Sequence, residues 1–266
     1  MSAASEQSRV AVVGACGRMG EQVRKWVGAH PELVVACGLE APGHPDAGRL
    51  IEPGVVVQSD PKLALERVDV AIDFTVPKAT LVNLRAAADL GVPYVTGTTG
   101  FSEAERAEIE AISMRIPVIH APNFSQSVNV LGWLAREAAR KLGPDFDAEL
   151  FELHHAAKRD APSGTALFLA EAVAEGQAKR LADHLVLERA GEIGARPKGA
   201  IGIQTLRGGD NPGEHTIYFA GQGERIELTH RSYTRDHFAK GAVAAAAWII
   251  DREAGLHPIE KVLGLE

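Results

Sequence analysis

The stretch VAVVGACGRMG, residues 10–20, places a short apolar run directly before glycines at positions 14, 17 and 20. Such a run predicts a buried strand, and the amphipathic pattern from about Arg18 to Ala29 predicts a helix. A turn without side chains between a strand and a helix lets the backbone approach a pyrophosphate, which then lies at the helix N-terminus. The spacing is GxxGxxG rather than GxGxxG, but the physical requirement is the same.

A carboxylate follows the second predicted strand, LVVACGL at 33–39. Glu40 ends this strand and can accept hydrogen bonds from the hydroxyls of an adenosine ribose. It would repel a ribose 2′-phosphate, and Ala41 and Pro42 bring no cation. We therefore predict a nicotinamide dinucleotide, with NADH preferred or well used and NADPH possible. The predicted contacts are Gly14, Ala15, Cys16, Gly17, Arg18, Met19 and Glu40.

Strands and helices then alternate as far as residue 120. Strands are predicted at 68–74, 93–96 and 117–120, with helices at 79–90 and, behind a capping box of Ser102 and Glu105, up to about 113. This alternation predicts an α/β fold, with a Rossmann-like, doubly wound parallel sheet covered by helices on both faces. Ligands of such sheets bind at the carboxyl ends of the strands. The expected cofactor contacts there are Gly97, Thr98, Thr99, Ala121, Pro122, Asn123 and Phe124.

After Asn123 the pattern changes to that of an α+β domain. A helix is predicted at 126–142, a strand at 147–154 and a helix at 165–178. Three runs follow at hairpin-like spacing, 201–207, 214–220 and 225–231, with GGDNPG and GQG as the turns between them. We expect a mixed or antiparallel sheet here, and a final apolar helix at 238–254 that returns to the first domain.

The segment HHAAKRDAPSGTA, residues 154–166, gathers titratable groups and a helix start. The Ser163-Gly164-Thr165 turn would expose backbone N–H groups that can bind a carboxylate, with Lys158 adding positive charge. His154 or Lys158 then stands close enough in sequence to supply a proton. The alternative is that the histidines are structural and that Lys158 and Arg159 lie in a solvated loop. The pattern favours reduction of a small, unsaturated dicarboxylate.

Composition excludes several other classes of protein. The 266 residues carry a formal net charge of −7, which argues against nucleic-acid or anionic-membrane binding. The two cysteines, Cys16 and Cys37, form no disulfide framework and are interpreted as buried small apolar residues. No metal site is predicted, because His154 and His155 are adjacent rather than four residues apart on a helix. No apolar stretch is long enough to span a bilayer, and we expect a cytoplasmic protein.

Six segments together resemble the dihydrodipicolinate reductase family: GACGRMG (14–20), IDFT (72–75), GTTGF (97–101), APNFSQSVNV (121–130), ELHHAAKRDAPSGTA (152–166) and GEHTIYFAGQGERIELTHR (213–231). The resemblance implies NAD(P)H-dependent reduction of 4-hydroxy-tetrahydrodipicolinate, also written as dihydrodipicolinate, to tetrahydrodipicolinate in diaminopimelate and lysine biosynthesis. It implies His154 and Lys158 as the catalytic residues, in an order left open. It further implies that His155, Gly164 and Thr165 bind substrate. Whether loss of water from the 4-hydroxy form is promoted by the protein also stays open.

The same resemblance implies the domain organisation. Residues 1–127 and 235–266 would form the dinucleotide-binding domain, and residues 128–234 the substrate-binding and oligomerisation domain of a homotetramer. Hinges are implied near 125–130 and Thr234, and Arg235 is implied to help hold the domains in place. Family members that use both cofactors carry Arg after the position of Glu40, where this chain has Ala41.

Two rival hypotheses remain at this point. One is another two-domain nicotinamide enzyme, such as an amino-acid or semialdehyde dehydrogenase, although neither cysteine is placed as a catalytic nucleophile. The other is a dinucleotide-binding sensor without chemistry. A sensor would need the glycine loop and Glu40 but not His154, Lys158 and the Gly164-Thr165 turn together.

Overall fold

The computed structural model describes residues 7–234 and 236–265. It divides the chain into two compact units, Met1–Ser125 with Asp236–Glu266, and Gln126–Arg235. The sequence boundaries at 127/128 and 234/235 lie next to this division. Arg235, to which the family resemblance gave a role, lies outside the described residues. In the part of the chain that is described, no helix is both long enough and apolar enough to cross a bilayer.

The first part of the chain alternates strands and helices, as the sequence predicts. Its strands are β1 (Ser8–Val13), β2 (Leu33–Leu39), β3 (Leu50–Glu52), β4 (Val55–Gln58), β5 (Val70–Asp73), β6 (Tyr94–Thr96) and β7 (Pro117–His120). Its helices are α1 (Arg18–Gly28), α2 (Pro61–Leu65), α3 (Pro77–Leu90) and α4 (Glu103–Ser113). Gly91 ends α3 in the left-handed conformation, so the predicted end of this helix at residue 90 is confirmed. The predicted capping box of Ser102 and Glu105 is formed at α4.

The second unit contains two long helices and a second sheet. Its helices are α5 (Gln126–Leu142) and α6 (Gly164–Gly176), with 3-10 turns at Gly143–Asp145 and Leu181–Asp183. Its strands are β8 (Asp147–His154), β9 (Leu185–Val186), β10 (Ile201–Arg207), β11 (Gly213–Ala220) and β12 (Arg225–Ser232). The chain then returns to the first unit through α7 (Asp236–Ile249), β13 (Gly255–Leu256) and α8 (Ile259–Val262).

The sheet of the first unit runs in the order β13-β7-β6-β5-β1-β2-β4-β3. Its pairings are parallel except for the antiparallel pair of β3 with β4. Successive residues of β1 enter different apolar clusters, since Val10 and Val12 pack with α1 and α7 while Ala11 and Val13 pack with α3 and α4. Side chains alternate across a strand, so the helices cover both faces and the predicted doubly wound architecture is confirmed.

The sheet of the second unit runs in the order β12-β11-β8-β10-β9. Strand β11 pairs antiparallel with β8 and β12, whereas β10 pairs parallel with β8. The prediction of a mixed sheet is therefore confirmed, but the predicted hairpin between 201–207 and 214–220 is wrong. Strand β8 lies between those two runs, because the GGDNPG segment carries the chain past the end of β8 rather than folding it back on itself.

Several short elements escaped the sequence analysis. Strands β3, β4, β9 and β13 and helices α2 and α8 are each five residues or shorter, which leaves too few positions for a periodic pattern. The last long helix spans Asp236–Ile249 rather than 238–254, since residues 255–256 join the edge of the first sheet as β13. Asp251, Arg252 and Glu253 follow the apolar run directly, but they are compatible with an exposed last turn of a helix, so composition alone did not mark this helix end.

Candidate active site

The glycine loop connects β1 to α1, and its shape requires glycine at two positions. Gly14 has φ +71°, in the left-handed region, and its N–H donates to the carbonyl of Leu39 at 2.8 Å. A Cβ on Gly20 would lie 2.0 Å from the Gly14 carbonyl oxygen. The first turn of α1 therefore packs directly on the loop. Its leading N–H groups have no partner within the helix, an arrangement that suits an anion.

Glu40 lies beside the same loop. Its Oε1 accepts a hydrogen bond from the Cys16 backbone N–H at 2.7 Å, and its Oε2 lies 4.0 Å from His44 Nε2. Burial and the neighbouring Glu40 carboxylate raise the pKa of the Cys16 thiol. Cys37 is buried as predicted, but Cys16 is only half-buried, so its interpretation as a core residue is wrong. The loop turns outward at Cys16 to bring its backbone to Glu40.

A cavity of about 550 Å³ opens beside Gly14 and Glu40. Its volume lies within the usual range for small-ligand sites. The walls are mostly apolar, and α3 contributes Lys78, an exposed cation that sequence analysis did not assign. The lining residues are Val13, Gly14, Leu39, Glu40, Ala41, Pro42, Ser59, Pro61, Thr75, Val76, Lys78, Ala79, Val82 and Asn83.

Two further strand ends carry predicted cofactor contacts. After β6, Gly97 packs against the Phe74 ring, where a Cβ would lie 2.1 Å from the ring, while Thr98 is buried and Thr99 is exposed. The Thr98 hydroxyl accepts from Thr80 at 2.9 Å. These contacts leave Thr99 as the exposed side chain of this turn.

The second of these strand ends follows β7. Its residues Ala121 and Asn123 are buried, and Pro122 is exposed. Phe124 is 1% exposed and packs edge-to-face on Phe74, so a ligand could reach its backbone but not its ring.

In the second unit, one face of β8 changes from apolar to polar along its length. Ala148 and Leu150 pack into the core, while Glu152 and His154, next on the same face, are also buried. Alternation along the strand thus places the two titratable groups side by side at its carboxyl end. His154 Nδ1 is hydrogen-bonded to Glu152 Oε2.

The Glu152 carboxylate accepts hydrogen bonds from donors in two other segments, β10 and the start of α6. Arg207 on β10 binds both of its oxygens, at 2.9 and 3.1 Å, and the Thr205 hydroxyl donates to Oε1 at 3.2 Å. The Ser163 backbone N–H donates to Oε1 at 2.9 Å. Burial alone would raise the pKa of Glu152, but these bonds and the one from His154 outweigh it and lower the pKa to about 2.

A second buried histidine, His215 on β11, lies directly opposite Glu152 in the sheet. Its ring meets that of His154 edge-to-face with centroids 5.1 Å apart, and its Nε2 lies 3.1 Å from the Ser163 Oγ. Burial lowers the pKa of His215 to about 3, helped by the charge of His154. Sequence analysis missed Glu152, Arg207 and His215, although Glu152 and His215 lie in segments that carried the family resemblance and Arg207 ends a predicted strand.

The helix start predicted at Ser163 is confirmed. Ser163 caps α6, its hydroxyl accepting from the Ala166 N–H at 3.1 Å, and Gly164 and Thr165 form the first turn. A Cβ on Gly164 would meet nothing within 4 Å, so this turn is open on that side. Its N–H groups form a site that suits a carboxylate.

The loop between β8 and α6 carries His155 and Lys158. The His155 N–H donates to the Asn211 carbonyl at 2.8 Å, and the Lys158 N–H donates back to the His155 carbonyl at 3.1 Å. Lys158 is 20% exposed and its ammonium pairs with Asp160 at 2.8 Å. Lys158 therefore lies in an ordered loop rather than in a freely solvated one.

Among the described residues, two groups of three side chains come close enough to share a cation: Cys16, His44 and Asp46, and Glu152, His154 and His215. In the first group, His44 Nδ1 accepts from the Asp46 N–H, and Asp46 pairs with Arg49. In the second, Glu152 is already bound by the Arg207 guanidinium, which would repel a cation. In both groups, ligand atoms are engaged in bonds within the protein.

A Rossmann-like unit with a glycine loop, together with a unit that holds a buried histidine–carboxylate pair beside an open helix N-terminus, defines a two-domain oxidoreductase of the nicotinamide type. A family profile described as "Dihydrodipicolinate reductase, N-terminus" matches residues 8–124, and one described as "Dihydrodipicolinate reductase, C-terminus" matches residues 127–263. The chain belongs to the dihydrodipicolinate reductase family, as the sequence resemblance predicts.

Individual relatives agree with this assignment. A 4-hydroxy-tetrahydrodipicolinate reductase of Desulfotalea psychrophila is 50% identical over 97% of this chain and 99% of its own. One from Anaeromyxobacter sp. is 49% identical over 96% and 97%. Among solved structures, a dipicolinate-bound dihydrodipicolinate reductase from Paenisporosarcina sp. TG-14 shares the fold, with a TM-score of 0.78 and 24% identity over 95% of this chain and 97% of that one.

Proposed function

We propose that this protein reduces 4-hydroxy-tetrahydrodipicolinate to tetrahydrodipicolinate with a nicotinamide cofactor, in diaminopimelate and lysine biosynthesis. The observation that carries the proposal is the position of His154, buried against Glu152 and beside the N-terminus of α6. That arrangement suits proton transfer to a small acid whose carboxylate lies on a helix start. Relatives of nearly the same length carry the name of this activity.

The first unit would hold the cofactor. The loop residues Gly14, Ala15, Cys16, Gly17, Arg18 and Met19 would bind its pyrophosphate, and the cavity beside Glu40 would take the adenosine. The turns Gly97–Thr99 and Ala121–Phe124 would line the nicotinamide ribose. The crowded positions of Gly14 and Gly20 fit this role, because a side chain at either would fill the loop. When bound, the reduced nicotinamide supplies a hydride.

NADH is proposed as the preferred or well-used cofactor. The Glu40 carboxylate suits ribose hydroxyls and opposes a 2′-phosphate, and Ala41 offers no compensating charge. Lys78 is the cation in the lining of the same cavity. It would attract the 2′-phosphate of NADPH and allow that cofactor to bind, though less tightly than NADH. Use of both cofactors with NADH ahead is the expected behaviour.

The second unit would bind the substrate and manage its protons. One carboxylate of the substrate would lie on the N–H groups of Gly164 and Thr165, and His155 would contact the same molecule. Lys158 would neutralise the bound acid and, with His154, hold the proton that the reduced product must receive. His154 has its Nδ1 engaged by Glu152, so its Nε2 is the atom that would face the substrate.

Assembly as a homotetramer is also proposed, through the sheet of the second unit. Among the described strands, β12 lies at the edge of that sheet, and Ile226 on it is 43% exposed. An exposed edge strand favours pairing with another chain. Light scattering on a size-exclusion column should give four times the mass of 28.3 kDa, and a monomeric mass would contradict this part of the proposal.

The test of the activity is a coupled assay. The protein is mixed with NADH or with NADPH and with substrate freshly made from pyruvate and aspartate semialdehyde by the upstream synthase. A substrate-dependent loss of reduced-nicotinamide absorbance supports the proposal, and the ratio of the two rates measures the cofactor preference. Absence of any loss, from protein shown to bind a dinucleotide, would contradict the proposed substrate while leaving the cofactor site intact.

A further inference from the structure

We propose that Glu152 is a positioning residue that ties the proton-carrying histidine to the carboxylate-binding turn of the same site. The inference rests on the proposed function, because Glu152 would position a residue whose catalytic role is itself proposed. The two oxygens of Glu152 serve different partners. Oε2 bonds to Nδ1 of His154, and Oε1 accepts the backbone N–H of Ser163, the cap of α6.

Arg207 fixes this carboxylate in place. Its guanidinium donates from Nη1 to Oε2 and from Nη2 to Oε1, so the carboxylate plane is held from a second strand. The same Nη2 also donates to the Asp160 carbonyl at 2.5 Å, in the loop that carries Lys158. One ion pair thus connects β8, β10, the loop and the start of α6. His154, the first turn of α6 and the loop that carries Lys158 are therefore all held by the Glu152–Arg207 ion pair, which we call the anchor.

The anchor determines which nitrogen of His154 can act. An ionised carboxylate only accepts hydrogen bonds, so the proton on Nδ1 is directed at Glu152. Nε2 is left to exchange a proton with a ligand. Gly213 on β11 lies beside that nitrogen, and a Cβ there would come within 2.9 Å of it. The absence of a side chain at Gly213 leaves Nε2 clear on this side.

His215 completes the arrangement from the other side of Glu152. Its Nε2 contacts the Ser163 hydroxyl, which must accept from Ala166 to cap α6. Because burial keeps His215 neutral, it adds no charge beside His154. The row of Thr205, Glu152 and His215 is in direct register across β10, β8 and β11, so the sheet itself holds the groups at fixed spacing.

Glu152→Gln tests the role, because the amide keeps the size of the side chain and removes its charge. The matched control is Glu149→Gln. Glu149 is on the opposite face of β8 and is held in the same manner by Arg189 and Arg196, but it does not contact His154. Both variants lose one ion-paired carboxylate of the same strand. The Glu152 side chain is fully buried and that of Glu149 is 25% exposed, so urea unfolding of both variants is needed to separate a loss of stability from a loss of kcat.

The expected result is a fall in kcat on the order of 10²-fold for Glu152→Gln, since a misplaced catalytic group costs about that much. KM for NADH should stay within about twofold of wild type, because the cofactor residues lie in the other unit. The pH profile of kcat should differ from that of wild type, because the charge beside His154 Nδ1 is lost. Glu149→Gln should leave all three quantities near wild type.

The outcomes separate the inference from the proposed function. Wild-type protein that fails to reduce the substrate contradicts the function itself. Active wild type with a kcat and pH profile of Glu152→Gln equal to those of Glu149→Gln overturns the positioning role. If Glu152→Gln does not fold, Arg207→Lys decides, because it keeps the charge but loses the two-pronged contact. It should lower kcat about tenfold, and unchanged kcat in that variant would overturn the inference.

Discussion

The two units build their sites from different material. The loop from Gly14 to Gly20 is contiguous in sequence and works through backbone N–H groups and missing side chains. The second site uses side chains from β8, β10 and β11: Arg207 and His215 follow Glu152 by more than fifty residues, and the three meet only in the folded sheet. A site made of backbone groups is therefore determined by a short local sequence, whereas a site made of side chains is determined by the register of strands that are distant in sequence.

The largest expected effect lies in the side-chain site. Lys158→Ala should lower kcat on the order of 10²-fold or more, because it removes a group proposed to transfer a proton and to neutralise the substrate. Steady-state kinetics with both reactants saturating measures this. Lys198→Ala, in an exposed loop of the same unit, is the control and should remain near wild type. Near-normal turnover of Lys158→Ala would remove this residue from the chemistry.

The backbone site should respond to a single methyl group. Gly20→Ala would place a Cβ 2.0 Å from the Gly14 carbonyl, so the loop must shift. We expect about tenfold weaker NADH binding in a fluorescence titration, with a lower melting temperature. Gly28→Ala, on the same helix with nothing within 4 Å of its Cβ, should bind NADH normally. Equal binding by the two variants would show that the loop does not depend on close packing.

The choice of cofactor should depend on one side chain of the cavity. Lys78→Met should lower kcat/KM for NADPH severalfold and leave that for NADH nearly unchanged, since only NADPH carries the 2′-phosphate. The measurement is the ratio of the two specificity constants, compared with Lys62→Met, a lysine outside the lining. A ratio that does not differ between the two variants would exclude Lys78 from phosphate recognition.

The last expected effect is on stability rather than on activity, as a dependence on pH. His215 is buried neutral with a pKa of about 3, against 6.5 for an unperturbed group. The unfolded chain binds a proton that the folded protein does not, so this group's contribution is present above pH 6.5. It is lost at up to about 1.4 kcal/mol per pH unit as the pH falls toward 3.

Urea unfolding at a series of pH values measures this slope. His215→Gln should lose less unfolding free energy between pH 6.5 and pH 4 than wild type does. Parallel curves for the two proteins would contradict the assignment of this dependence to His215.

The fold and site of the first unit could be predicted from the sequence more fully than those of the second, because the first depends on local patterns. The strand–glycine–helix pattern, the capping box at Ser102 and the end of α3 at Gly91 are local, so periodicity and turn chemistry predicted them. The GGDNPG segment, by contrast, was interpreted as a hairpin turn, because nothing local says that β8 inserts between β10 and β11. Arg207 and His215 could not be paired with Glu152 without that register.

Cofactor binding and proton transfer are proposed to be separable, with one in each unit. His154→Gln tests this separation when two quantities are measured: the dissociation constant for NADH by fluorescence, and the rate of NADH oxidation with saturating substrate. We expect a dissociation constant within about twofold of wild type and a rate lower by a factor on the order of 10². A normal rate, or a loss of NADH binding as large as the loss of rate, would contradict it.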